Sequence, residues 1–205
     1  MADKLSIYKG ALRLLGPHEL SSLTDNRPER YQLDDAWDNC LQYLLTLGLW
    51  NFAVRSVTLT SGDDVAPTFG FDYGFNKPSD WIRTVGISDE PTFQRSLEQY
   101  EDEGGVWYCN AEPLYVRYVS NDTLYGLNIG AWRQPFAKMF EAYLAFETGL
   151  PVSGDKAGRD GLYSLFKERL KTAKALDAFD EAPEQKMPGR ITQARFRRRV
   201  GTDGQ

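Results

Sequence analysis

Residues 47–60, "LGLWNFAVRSVTLT", decide the fold, because the spacing of apolar residues changes within them. Upstream, Leu33, Ala36, Trp37, Cys40, Leu41 and Leu44 recur three or four residues apart until Gly48, as one face of a helix does. Downstream, Ser56, Thr58 and Thr60 alternate with Val57 and Leu59, the period-two pattern of a strand with one buried face. A helix therefore gives way to a sheet near residue 50, and the rest of the chain sorts on either side of that change.

Toward the N-terminus, Leu5, Tyr8, Leu12 and Leu15, joined by Ala11 and Leu14, predict a first helix that Gly16-Pro17 stops. In "TDNRPER" (24–30), Asn26 is placed to cap a second helix of about 20 residues, with Glu29 three positions on and Pro28 in its first turn. Toward the C-terminus, "FGFDYGFN" (69–76) alternates Phe69, Phe71, Tyr73 and Phe75 with Gly70, Asp72, Gly74 and Asn76. "WIRTVGIS" (81–88), "VWYCN" (106–110) and "LYVRYVS" (114–120) also read as strands, with turns at "NKPSD" (76–80), "EDEGG" (101–105) and "CNAEP" (109–113). Residues 51 to 120 thus form an antiparallel β region.

Pro135 opens a third helix whose face carries Phe136, Phe140, Tyr143 and Leu144 and which "TGLP" (148–151) ends. Asp155 is placed to cap a fourth, with Leu162, Leu165, Phe166, Leu170, Ala173 and Leu176 at helical spacing. None of these amphipathic helices can bury its face alone. The fold expected is α+β: an antiparallel four-helix bundle with an inserted antiparallel β subdomain and an extended C-terminal arm. Residues 1–50 supply helices one and two of the bundle, 51–132 the insertion, 133–179 helices three and four, and 180–205 the arm.

With 205 residues the chain can bury roughly 70% of the surface its unfolded form exposes. A hydrophobic fraction of 41% and an aromatic fraction of 13% exclude a disordered chain over most of the length. The first residues, with Asp3 and no long apolar run, do not read as a secretory signal, and nowhere do about 18 apolar residues run together as a membrane span needs. Cys40 and Cys109 fall on a helix and a strand without metal-ligand spacing, and are expected to be reduced core thiols.

Catalytic chemistry finds little support. A nucleophilic triad usually needs a histidine base, and the single histidine, His18, lies in a loop after the first helix. Nucleotide, zinc and calcium motifs are all lacking from the sequence. Acidic pairs occur at Asp34-Asp35, Asp63-Asp64, Asp89-Glu90 and Glu101-Asp102-Glu103, and a glycosidase needs two carboxylates flanking its substrate. Each pair sits where a solvated helix face or turn would place acids in any case. No catalytic, cofactor-binding or metal-binding residue is assigned, and the chain is not read as an enzyme.

Charge is sorted along the sequence. "RITQARFRRRVGTDGQ" (190–205) holds Arg190, Arg195, Arg197, Arg198 and Arg199, interleaved with Ile191, Phe196 and Val200. Residues 186–205 carry six Lys/Arg and one Asp, a charge of +5; the whole chain carries −5, which leaves −10 on residues 1–185. Over a Debye length of about 8 Å an acidic body repels nucleic acid, so only a detached arm could grip phosphate. Arginine is also favoured in protein interfaces, and Phe196 and Val200 supply apolar anchors that phosphate binding does not need. The residues marked for docking into a protein groove are Arg190, Arg195, Phe196, Arg197, Arg198, Arg199 and Val200.

Six blocks, in order, resemble one family: "IYKGALRLLG" (7–16), "LGLWNFAVRSVTL" (47–59), "YGFNKPSDWIRTVGI" (73–87), "GGVWYCN" (104–110), "LYVRYVS" (114–120) and "FEAYLAFETGLPV" (140–152). The chain is similar over most of residues 5–178 to the tail tubular protein A family, the head-to-tail adaptors of short-tailed bacteriophages. The resemblance implies a structural ring of about twelve copies, closed by heterologous contacts between its subunits. Its implied partners are the portal protein, the tail nozzle protein, other copies of itself, and genomic DNA that passes without sequence-specific binding. No membrane or cofactor is implied, and the implied location is the virion, with the host cytoplasm before assembly. An acidic wall suits such a conduit, because it keeps the duplex from sticking. The Pro- and Gly-broken arm reads as a segment that orders on docking to the portal. Two other readings come from the residues: a polysaccharide or peptidoglycan hydrolase using paired carboxylates, and a DNA-binding module acting through the arginine tail.

Overall fold

The computed structural model describes residues 2–16, 19–60, 65–153 and 156–180. The fold is α+β. Among the described residues the order is α1 (Lys4–Leu15), α2 (Pro28–Thr46), β1 (Val54–Leu59), β2 (Tyr73–Asn76), β3 (Trp81–Ser88), β4 (Tyr100–Glu103), β5 (Val106–Cys109), β6 (Leu114–Ser120), α3 (Gln134–Ser153) and α4 (Lys156–Ala178).

α1 starts with a reciprocal cap in which the Asp3 carboxylate accepts from the Ser6 amide at 2.7 Å and the Ser6 hydroxyl accepts from the Asp3 amide at 3.1 Å. α2 begins differently from the sequence expectation. Arg27, not Asn26, is its N-cap, with no side-chain cap bond, and Asn26 accepts from the Tyr31 hydroxyl instead. Pro28 explains the shift: its ring fixes the first helical φ and holds the preceding residue extended, as Arg27 is at φ −126°, ψ 142°.

α3 does not stop at 148–151. It runs through Pro151 to Ser153, and the buried Thr148 donates its hydroxyl to the Leu144 carbonyl at 2.7 Å. Leu15 of α1 and Leu162 of α4 both close on Gly149, so packing from two sides holds this stretch helical against its propensity. Asp155 lies outside the described residues. In α4 the expected inner face holds at Phe166 and Ala173 but fails at its end: Leu176 is exposed and Asp177 is buried. Asp177 earns that place through Asn51, whose amide donates to its carboxylate at 3.1 Å and whose side chain donates to its carbonyl at 2.9 Å. The end of α4 is thereby tied to the start of β1.

Two antiparallel three-stranded sheets have the orders β1-β6-β3 and β2-β5-β4. β1 pairs with β6 in the register Val54↔Val119, Val57↔Val116 and Leu59↔Leu114, leaving Ser56 and Thr58 outward as their alternation predicts. The strand expected from residue 69 starts only at Tyr73: Phe69 is 85% exposed and Gly70 takes φ 86°. β4 was hidden in a run expected to turn. Tyr100 to Glu103 form an exposed edge strand, and the turn is confined to Gly104 and Gly105, whose φ values of 59° and 87° suit a two-residue hairpin loop.

α3 is the helix on which α1, α2 and α4 all pack. Their shared core centres on Trp37, Trp50, Trp132, Phe136 and Phe140, and it takes in Ala53 and Val119 from the sheet side. Trp37 stacks on Trp132 at 6.1 Å and meets Phe140 edge-on at 4.7 Å. Each such buried side chain contributes about 1.5–3 kcal/mol. A second core, of Phe75, Ile87, Trp107, Cys109, Leu114, Val116 and Tyr118, joins residues of both sheets. β6 serves both cores, with Val119 in one and Leu114, Val116 and Tyr118 in the other. Cys40 and Cys109 are buried free thiols, and burial, with the nearby Glu147 carboxylate, pushes the Cys40 thiol up to about 12.

Candidate interaction surface

Arg190, Arg195, Phe196, Arg197, Arg198, Arg199 and Val200 lie outside the described residues, as do His18 and the Asp63-Asp64 pair. The other acidic groups fall in different parts of the fold: Asp34 and Asp35 on α2, Asp89 and Glu90 just after β3, and Glu101 to Glu103 along β4. Two of these carboxylates are engaged with cations. Asp34 accepts from the Tyr8 hydroxyl at 2.6 Å and pairs with Arg30 at 2.6 Å and Lys4 at 3.0 Å. Asp102 pairs with Lys77 at 2.5 Å. Burial would raise the Asp34 carboxyl, but the Tyr8 and Lys4 hydrogen bonds and the two cations hold it below its ordinary value.

A chain of aromatic rings links three helices, exposed at Tyr43 and Tyr163 and half-buried or buried between them. Tyr43 of α2 stacks on Tyr143 of α3 at 5.0 Å, and Tyr143 contacts Phe166 of α4 at 4.8 Å. Phe146 of α3 meets Tyr163 of α4 at 5.1 Å, which leans back on Phe166 at 6.0 Å. Phe166 is buried, whereas Tyr43 and Tyr163 are 44% and 42% exposed. Arg159 lies over the Phe146 ring at 4.6 Å and Lys167 over Tyr163 at 4.9 Å, so ring faces here already receive cations. Burial, then a hydrogen bond to Glu147, pushes the Tyr143 phenol above its ordinary value. The rings can cover a partner's apolar side chains, and the flanking charges can orient it.

Helical spacing places Tyr143 on the inner face of α3, but it does not reveal a surface strip. Its signal was the pair of i, i+3 aromatic couples, Tyr143 with Phe146 and Tyr163 with Phe166, on two helices that meet.

Two polar centres hold the sheet region in shape. Asp80, in the turn before β3, accepts from Ser120 at 2.5 Å, Arg55 at 2.9 Å and Tyr118 at 3.0 Å. Burial would raise its carboxyl; the donors from Ser120, Arg55 and Tyr118 outweigh burial and hold it below the usual carboxylate range. Lys77, with a side chain only 7% exposed, sits 3.6 Å over Trp81 of one sheet and 5.4 Å from Trp107 of the other. At the far end of α4, Asp180 pairs with Arg133, fixing where the described chain leaves the helices.

Among the described residues no group of three or more His, Cys, Asp or Glu gathers as metal ligands would, and no helix is long and apolar enough to cross a membrane. No known protein-family model matches the chain, and no curated protein matches it either.

Proposed function

We propose that this chain is a structural head-to-tail adaptor of a phage virion, a ring of about twelve copies between portal and tail nozzle that forms part of the DNA-ejection channel. The observation that carries the reading is the exposure of Tyr43 and Tyr163, the outer rings of an aromatic chain that runs through the half-buried Tyr143 and Phe146, which leaves aromatic surface suited to coverage by neighbours. The resemblance of six ordered blocks to tail tubular protein A supports it. So does the sorted charge, an acidic body of −10 facing passing DNA and a +5 tail, which total −5. In this reading the helices form an antiparallel four-helix bundle (1–50 and 133–179), residues 51–132 are an inserted β subdomain, and 180–205 are an extended arm. The protein is non-enzymatic, and works in the virion after assembly in the host cytoplasm.

The arm docks into a groove of the portal ring. Guanidinium forks of Arg195, Arg197, Arg198 and Arg199 pair with carboxylates, and Phe196 and Val200 fill apolar pockets. An exposed ion pair is worth about 0–1 kcal/mol, whereas burial of the Phe196 ring contributes about 1.5–3 kcal/mol per subunit. Phe196→Ala should therefore weaken co-assembly with portal rings more than Arg198→Ala, and the ring multiplies the difference through effective concentration. Wild-type co-assembly by a chain lacking residues 190–205 would refute the docking arm. Hydrolysis of peptidoglycan or capsule, abolished by single Asp→Asn or Glu→Gln changes, would replace the adaptor reading with the hydrolase. Duplex binding at physiological salt, with a steep salt slope lost on removal of the arm, would replace it with the DNA-binding module.

A further inference from the structure

We propose that neighbouring copies meet head to tail, the outer face of α4 on one copy against the outer face of α2 on the next. The proposal rests on the ring reading above and names the surfaces that close the ring. Along α4, Arg159, Tyr163, Lys167 and Lys171 recur every four residues and are all exposed, with Lys174 exposed one turn further on. Asp160 and Glu168 lie on the adjacent ridge, so the face is net positive with Tyr163 in its middle. Along α2, Tyr31, Asp35, Asp38 and Gln42 are exposed. Among the described residues neither Asp35 nor Asp38 is paired with a cation, unlike Asp34 beside them.

Both helices pack on α3, and the ladder from Tyr43 through Tyr143 to Phe166 sets them on either side of it. Their outer faces therefore look in different directions. Charge then selects the mode of contact. Two α4 faces would set lysines and arginine against their like, and two α2 faces would set aspartates against aspartates. Of these three pairings only α4 against α2 brings opposite charges together, and a contact between two different patches is the heterologous kind from which rings are built. Tyr163 supplies the amphipathic anchor, and the charges around it fix the register.

The test is self-association of the full chain, measured by sedimentation over a concentration series. Lys167→Glu with Lys171→Glu should weaken it about tenfold or more, and so should Asp35→Lys with Asp38→Lys. An equimolar mixture of the two double variants should recover wild-type association, because every contact in an alternating ring then joins opposite charges. The recovery also shows that both variants are folded. The proposal fails if neither variant shifts association, if the mixture associates no better than its components, or if the wild-type chain stays monomeric both free and on portal. Association that obeys the swap without portal binding would remove the adaptor reading alone. Portal binding with association blind to the swap would remove this interface alone.

Discussion

Replacing Asp80 with alanine should cost about 2–4 kcal/mol of folding stability. Its carboxylate is the acceptor for two hydroxyls, those of Tyr118 and Ser120, on residues that are fully buried. A buried polar group left without its partner costs about 1–3 kcal/mol, and Ser120 keeps one bond, from the Asp122 amide at 3.0 Å. The Arg55 pair adds at most about 1 kcal/mol, because the Arg55 side chain is about a third exposed and screened by solvent. Asp80→Asn keeps an acceptor oxygen and loses the charge, so it should cost about 1–2 kcal/mol. In a chain of this size the alanine variant should melt roughly 4–16 °C lower. The assay is urea unfolding followed by tryptophan fluorescence at pH 7. Because the folded carboxyl titrates below its unfolded value of about 3.9, its stabilisation is complete above about pH 5 and is lost as pH falls through the depressed folded value. The gap between wild type and Asp80→Asn should therefore close on acidification. An alanine variant within about 0.5 kcal/mol of wild type, or an asparagine variant as costly as alanine, would refute this reasoning.

Lys77 and Asp102 separate packing from pairing. Lys77→Ala should cost about 1–3 kcal/mol by removing a buried cation and its stem from Trp81 and Trp107, whereas Asp102→Ala, at a site 40% exposed, should cost under about 1 kcal/mol; equal costs in urea unfolding would show that the ion pair dominates. Native protein at pH 8 should leave Cys40 and Cys109 unlabelled by a thiol reagent, with both reacting in urea, since both are buried and burial raises both thiols. Fast native labelling of either would contradict the core. Tyr143→Phe should leave the stacked ring in place and change stability by less than about 1 kcal/mol, whereas Tyr143→Ala should cost about 3 kcal/mol or more; similar costs by thermal melting would place the contribution in the hydroxyl.

The helix-to-sheet change at residue 50 was legible because periodicity is a local property. Leu33, Trp37, Cys40, Leu41 and Leu44 are buried together on α2, and Val57 and Leu59 turn inward while Ser56 and Thr58 turn out. Features set by tertiary contact were not legible. "YEDE" lacks any apolar alternation, and it becomes β4 only because β5 pairs with it across Gly104 and Gly105. "TGLP" carries two helix breakers, yet α3 continues past them where Leu15 and Leu162 pack beside Gly149 from two other helices. Leu176 kept the helical repeat while Asp177 took the inward position, because Asn51 waits there as its partner. The aromatic strip is assembled from three helices, so spacing along any one of them gives only part of it. The docking residues of the arm were chosen from charge and composition, and they lie outside the described residues.

The most direct measurement is the mass of the full chain, alone and mixed with a candidate portal ring from a short-tailed phage. The adaptor account predicts a portal complex whose added mass corresponds to about twelve copies, lost when residues 190–205 are deleted although the truncated chain keeps its melting temperature. A chain that leaves the mass of every portal ring tested unchanged, and yet cleaves peptidoglycan or grips duplex DNA, would contradict it.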